Sequence, residues 1–389
     1  MDNAQARLPE PSNDARAASN TLSERIAGEI HGSGWMSFAR YMGLALYTPG
    51  LGYYAGGSRK FGTMVEGGDF LTAPELTPLF GQALARQIAQ IMRASSALVI
   101  EAGAGSGKLA ADLLLALEAL GCAPEQYQIL ELSGELQARQ RETIAALAPR
   151  HLSRVKWLDE LPTNFSGCIL GNELLDAMPT HKVAWREDGV KEIGVSLEDG
   201  KLVYVEHDAD AHLASLARAL DVTPPYRSEI GLAARSWVSE MTRRLHKGAL
   251  LLIDYGLPRH EYYHPQRDGG TIRCHYRQRT HDDPFWWPGL SDITSHVDFT
   301  AVAEAAHDAG AEIAGYASQA AFLLNCGIAD LLAGRQRADD AAAAASATGA
   351  INLILSPNEM GELFKVIALT KNVAEPLLGF SRGDKVHTL

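Results

Sequence analysis

The sequence predicts an α/β fold built on a seven-stranded, mostly parallel sheet, and three observations carry that expectation. A short apolar run at residues 98–100 passes through Glu101 and Ala102 into Gly103, Ala104, Gly105, Ser106 and Gly107. From Lys108 onward, Leu109, Leu113, Leu114 and Leu117 recur at helical spacing, which makes the stretch a strand, a glycine turn and a helix. Further strand-sized apolar runs at 127–132, 155–158, 168–171 and 249–254 are separated by helix-like stretches such as 136–147 and 228–245. After a helix at 299–309, two last runs at 312–317 and 363–369 would close the sheet as an antiparallel edge.

The 389 residues allow one large or two ordinary domains, and 46% hydrophobic with 21% charged residues is an ordinary globular composition. A net charge of −12 argues against a broad electrostatic grip on nucleic acid; a basic protein segment or a small molecule is the expected partner. Cys122, Cys168, Cys274 and Cys326 have no CxxC spacing, which argues against a disulfide framework or zinc ribbon and fits a reducing compartment. The longest apolar run, 249–253, is strand-sized, so no membrane span is expected. Residues 1–20 mix Asp2, Glu10 and Asp14 with Arg7 and Arg16; they lack a signal core and the acid-poor bias of a transit peptide. They are expected to be a disordered tail on a cytoplasmic protein.

Residues 22–30 and 35–46 read as short helices, and 47–75 form a stretch dense in Gly, Pro and Tyr. A connection of that length usually serves a site. Thr72 and Glu75 have capping-box spacing, and Pro74 suits the first turn of a helix that runs to about Met92. Region 21–95 is therefore expected to be a helical cap over one end of the sheet. It can equally be a lid whose 67–74 turn closes over a ligand, which makes Gly68, Thr72 and Pro74 candidate contacts.

Three ligand classes compete for the glycine turn. A phosphate-cradling Walker loop needs glycine at 102 and Ser or Thr at 109, where this chain has Ala102 and Leu109. The dinucleotide fingerprint needs its third glycine at 108, which is Lys. The observed GxGxG spacing of Gly103, Gly105 and Gly107, preceded by Glu101, resembles the first motif of class I S-adenosylmethionine-dependent methyltransferases, a Rossmann-like fold. A different nucleotide ligand, or a turn without a ligand, stays open on this motif alone.

Glu131 falls at the tip of the second strand, where an acid accepts hydrogen bonds from ribose hydroxyls; with Leu132 it is a candidate cofactor contact. The alternative is a solvated strand-end acid. Asp159 follows the third strand, where class I methyltransferases often contact the adenine amino group. Residues 182–205 alternate in strand fashion around Asp188-Gly189 and Asp199-Gly200, suggesting a small antiparallel insertion. From 255 to 296 the chain is irregular. Its five histidines form neither HxxxH nor a Cys/His quartet, so no metal is expected. Phe285, Trp286 and Trp287 there are packing residues or a substrate contact. The alanine-rich segment 331–350 carries no expected chemistry. The organisation expected is a tail at 1–20, a helical cap or lid at 21–95, and a catalytic domain at 96–389 with insertions at about 182–225 and 256–296.

The fourth strand runs into GNELLDAMP, residues 171–179. In an open α/β sheet this position lies beside the first glycine turn, where ligands bind. Many class I methyltransferases that modify nitrogen have an Asn-led tetrad here. GNELLDAMP resembles the NExxDAxP motif of the MidA-type family, which includes the mitochondrial complex I assembly methyltransferases. LYTPGLGYYAGG at 46–57, GGDFLTAPE at 67–75, the block at 270–299 and MGELFKVIAL at 360–369 match further family motifs in the family's order.

The resemblance implies a methyltransferase using S-adenosyl-L-methionine and, by analogy with the mitochondrial members, arginine methylation on a protein, with a respiratory-chain subunit as one possible partner. On that reading Asn172, Glu173 and Asp176 are the catalytic candidates. A guanidinium is protonated at ordinary pH and its planar fork suits carboxylates, so Glu173 and Asp176 would clamp it. Asn172 would orient the accepting nitrogen and stand next to the cofactor. The bland alternative is that Asn172 and Asp176 merely cap the turn and a following helix. A small-molecule methyltransferase and a cofactor-binding assembly factor without turnover are the rival functions.

Overall fold

The structure, a computed structural model, describes residues 8–56, 72–338 and 341–389. Gly68, expected at the cofactor, lies outside the described residues. The chain divides into two compact units. One comprises Thr72–Asp176, Ala234–Tyr262 and Val297–Leu389; the other Met1–Leu71, Ala177–Ala233 and Tyr263–His296.

The first of these is built on strands β1 (Leu98–Ala102), β2 (Gln126–Leu130), β3 (Val155–Leu158), β4 (Phe165–Asn172), β5 (Leu245–Leu257), β6 (Glu312–Ser318) and β7 (Phe364–Lys371). They lie in the order β6-β7-β5-β4-β1-β2-β3. β7 is antiparallel to both β5 and β6, and the pairs among β1 to β5 are parallel. The short strand Val297–Asp298 adds a parallel pairing at the end of β5. Connections from β1 wind in opposite directions across the sheet, so β1 and β4 are neighbours, with Ala102 opposite Gly171. Ligands bind at such a switch point.

Hydrophobic periodicity explains the layers. Val99, Ile100, Ile169, Leu170, Leu250 and Leu251 are fully buried, as strands covered on both faces require. Helix Lys108–Ala119 buries Leu109, Leu113, Leu114 and Leu117, and helix Pro78–Ala94 buries Leu79, Leu84, Ile88 and Ile91. Each such side chain contributes about 1.5–3 kcal/mol relative to exposure. The alanine-rich segment contributes to helices Ile328–Ala338 and Ala341–Leu355.

The other unit holds helices Asn13–Ser33 and Phe38–Tyr47 and an antiparallel sheet of Met36–Ser37, Gly189–Glu198, His181–Arg186, Tyr226–Ile230 and Lys201–Asp208. Leu22, Ile26, Phe38, Tyr41 and Val195 form its main core together with Cys274 and Ile293. The expected tail gives way at Asn13, because Ser12 caps the helix by accepting the Ala15 N–H and Ser19 and Leu22 are buried. The helix expected at 228–245 starts later, at Leu232, because residues 226–230 pair as a strand with His181–Arg186. Pairing overrides local propensity there. Within 255–296, Arg273–Tyr276 pairs with Arg279–His281 and Asp292–Thr294. Phe285 packs against Tyr41 and Trp286 against Tyr276, with ring centroids 5.2 and 4.8 Å apart, so both aromatics serve packing.

Candidate active site

The glycine turn leaves the end of β1 in a left-handed course, with φ of 69° at Gly103, 53° at Gly105 and 82° at Gly107. L side chains avoid these values. The Gly103 N–H donates to the Leu130 carbonyl at 3.0 Å, which ties the turn to the end of β2. A Cβ on Gly107 would lie 2.8 Å from Gln140 Cα, so the helix Gly134–Leu147 packs directly on the turn. Gly107 caps helix Lys108–Ala119 without a side chain, and Ser106 Oγ accepts the Lys108 N–H at 3.2 Å. The helix therefore directs its N-terminal backbone dipoles at the turn.

Thr72 stands before the short helix Ala73–Leu76 and Pro74 within it, both buried. The expected capping box does not form. The Thr72 side chain caps nothing, and the Glu75 carboxylate instead accepts the Ser106 hydroxyl proton. That bond fastens this segment to the glycine turn.

Glu101, at the end of β1, is buried and accepts the Tyr127 hydroxyl at 2.6 Å. Burial pushes its carboxyl up to about 7; the Tyr127 hydrogen bond opposes the rise and the Glu131 charge adds to it. Glu131 follows β2. Its Oε1 accepts the Ser133 N–H and its Oε2 the Gln140 Nε2, each at 3.0 Å. Burial raises its pKa, and these bonds hold it down. Leu132 beside it is 86% exposed, an apolar face open at the strand tip. Asp159 is exposed just beyond β3. Glu101, the three glycines and Glu131 are thus brought together around the ends of β1 and β2.

Asn172 ends β4, and its Nδ2 donates to Glu173 Oε1 at 3.2 Å. Its Oδ1 is buried and accepts no hydrogen bond from a described residue. Such an atom is costly unless a donor meets it. Glu173 has φ of 53°, and its N–H donates to the Ile253 carbonyl of β5 at 2.8 Å. Asp176 is buried. No helix follows β4 before the strand His181–Arg186, so Asn172 and Asp176 cap none.

The turn is held by a residue the sequence reading passed over. Asp254 Oδ2, on β5, accepts the backbone N–H groups of Leu174, Leu175 and Asp176 at 3.1, 2.8 and 3.3 Å. Burial and the Asp176 charge push the Asp254 carboxyl well above its usual range; the N–H bonds from Leu175 and Asp176 oppose this, and Glu173 adds to it. Asp254 ends the apolar run ALLLID much as Glu101 ends LVIE, and an acid ending a buried strand is the signal that would have found it. Gln140 was missed too. It shares the buried stripe of its helix with Leu136 and Ile144, where a polar residue is out of pattern.

The arrangement offers a left-handed glycine cradle with an acid on either side, next to a turn carrying an amide oxygen and two carboxylates and held by a third from β5. The glycines, Glu101, Glu131 and open Leu132 fit a ligand having a cationic amino group, hydroxyls and an apolar ring. The family model Methyltransf_28, of S-adenosyl-L-methionine-dependent methyltransferases, matches residues 83–317. A crystal structure of a COG1565 superfamily member from Burkholderia thailandensis bound to S-adenosyl-homocysteine is 50% identical, covers 98% of this chain and 100% of its own, and has a TM-score of 0.95. A native crystal structure of a COG1565 superfamily protein from the same organism is 49% identical at a TM-score of 0.92, with coverage of 98% and 100%. The mitochondrial protein arginine methyltransferase NDUFAF7 of Danio rerio is 28% identical over 93% of this chain and 92% of its own length.

Proposed function

This chain belongs to the Methyltransf_28 family of S-adenosyl-L-methionine-dependent methyltransferases, and we propose that it methylates a guanidinium nitrogen of an arginine in a protein substrate. The observation that carries this reading is the acidic turn after β4. Glu173, Asp176 and Asp254 gather there beside the Asn172 Oδ1, which no described residue occupies. A planar cation bearing several N–H groups matches both the charge and the unmet acceptor. Likeness to proteins named as arginine methyltransferases supports the same acceptor.

In this reading, Glu101 holds the amino group of the cofactor, the turn at Gly103, Gly105 and Gly107 passes its amino-acid part, and Glu131 accepts from the ribose hydroxyls. Leu132 and Asp159 flank the adenine, and Thr72 and Pro74 stand behind the turn. When bound, the cofactor supplies a methyl group on a sulfonium, already a good leaving group. The protein's task is alignment. Asn172 Oδ1 accepts an N–H of the arginine and so directs a nitrogen. Glu173 and Asp176 hold the guanidinium, and Glu173 takes the proton that the methylated nitrogen gives up.

The test uses radiolabelled S-adenosylmethionine with purified protein and cell lysate. Label in arginine of a protein band supports the reading. Label in a small product makes the chain a small-molecule methyltransferase, and no label despite cofactor binding makes it a binding protein. Glu173→Gln should bind S-adenosylhomocysteine as the parent protein does while transfer falls on the order of a hundredfold. Undiminished transfer removes the clamp.

A further inference from the structure

We infer that Gln140 is the positioning residue of the cofactor site, joining the glycine turn, Glu131 and Trp157 through one side-chain amide. This rests on the assignment of Glu131 to the cofactor ribose.

Gln140 is fully buried in helix Gly134–Leu147. Its Nε2 donates to the Gly105 carbonyl at 3.1 Å and to Glu131 Oε2 at 3.0 Å. Its Oε1 accepts the Trp157 indole N–H at 2.9 Å. A primary amide has two N–H donors and one carbonyl, and here all are used on three separate chain segments. The Gly105 carbonyl belongs to the turn after β1, Glu131 follows β2, and Trp157 lies in β3. One side chain therefore sets the tips of three adjacent strands.

Each bond has a consequence for binding. The Gly105 carbonyl is drawn toward the helix, which fixes the peptide plane and leaves the turn's other face to a ligand. The bond to Glu131 leaves that carboxylate, whose Oε1 is already met by Ser133, with spare lone pairs aimed away from Gln140. Trp157 is fixed on its edge by Gln140 and on one face by the Arg141 guanidinium, 3.9 Å from the ring centroid. The close approach of Gly107 to Gln140 Cα allows the amide to reach all three partners. No isosteric residue can substitute. Glu lacks the two N–H donors, and Met lacks the donors and offers only a weak thioether acceptor.

The experiment titrates S-adenosylhomocysteine into the parent protein, Gln140→Met, Glu131→Gln and the double variant, with melting temperatures recorded without ligand. Trp157 emission is isolated by difference against Trp157→Phe. A parent protein that does not bind removes the cofactor reading itself, independently of Gln140. If the parent binds, the inference expects Gln140→Met to weaken binding at least tenfold and shift the Trp157 emission. The double variant should then lose less than the product of the two single losses, because both break the same connection. Losses that multiply, or parent-like binding by Gln140→Met, overturn the inference. So does weakened binding in Gln140→Met that tracks a lowered melting temperature with Trp157 emission unchanged, since that is the behaviour of a merely structural residue. Gln140→Glu, which keeps the acceptor for Trp157, should restore the emission without restoring affinity; if it restores both, the donors to Gly105 and Glu131 are not needed and the inference falls.

Discussion

The Leu175 N–H donates to the Asp254 carboxylate at 2.8 Å, so a side chain of β5 shapes the turn that follows β4. Leu174 and Asp176 donate to the same oxygen. Removing it in Asp254→Ala strands three backbone donors, and the expected loss is about 3 kcal/mol of unfolding free energy, read by urea denaturation. Asp254→Asn keeps an oxygen for the turn and removes a charge that burial and Asp176 both disfavour. Its stability should stay within about 1 kcal/mol of the parent protein. Both variants should lose more methyl transfer than S-adenosylhomocysteine affinity, since the glycine turn is untouched.

Glu173 holds a left-handed backbone that costs a side-chain-bearing residue on the order of 1 kcal/mol. Glu173→Gly should therefore raise the melting temperature while abolishing transfer. A gain in stability with a loss of activity separates the role of this carboxylate from any part in folding.

Glu101 links stability to pH. Its carboxyl is pushed from the ordinary 4.5 to about 7 in the folded protein, so the folded state holds a proton the unfolded chain has released. That stabilisation is complete below about 4.5 and is lost as pH rises through about 7; for a shift of this size it amounts to roughly 3 kcal/mol. Glu101→Gln should melt close to the parent protein at pH 5 and above it at pH 8. Calorimetry of S-adenosylhomocysteine binding in buffers of different ionisation enthalpy checks the other side. On the proposed assignment, the cofactor ammonium beside Glu101 favours the carboxylate, so binding at pH 6 should release close to one proton and at pH 8 very little.

Gly107 and Gly103 share a positive φ but differ in what surrounds them. A methyl on Gly107 meets the Gln140 backbone at 2.8 Å, whereas one on Gly103 meets only the tip of Leu174 at 3.0 Å. Gly107→Ala should cost about 2–3 kcal/mol and most of the cofactor affinity; Gly103→Ala should cost about 1 kcal/mol. Thermal melts with and without S-adenosylhomocysteine give the order.

What the sequence made legible follows from which forces act locally. The apolar runs that became β1, β3, β5 and β7 and the GxGxG turn are decided by residues adjacent in sequence, and they were found. The strand at Tyr226–Ile230 was not, because its partner lies at His181–Arg186, some forty residues away, and Ser228 and Glu229 carry no strand signal of their own. The Thr72–Glu75 spacing suggested a cap, but Ser106 offers Glu75 a hydroxyl that only the fold brings near. Asn172, Glu173 and Asp176, the residues proposed to hold the acceptor, could be singled out because they share one short motif. Gln140 and Asp254 act on residues 35 and 79 positions away; their local patterns mark them as unusual, but not which residues they reach.

The left-handed Glu173 also bears on descent. Backbone geometry at that position favours Gly or Asn, while the proposed transfer asks for a carboxylate, so the two demands pull the codon in opposite directions. A lineage that ceased transferring methyl groups while keeping the cofactor would be released from the second demand and would drift toward Gly or Asn. On the proposed role of Glu173, the residue found at 173 in each relative becomes a marker that sorts enzymes from proteins that only bind.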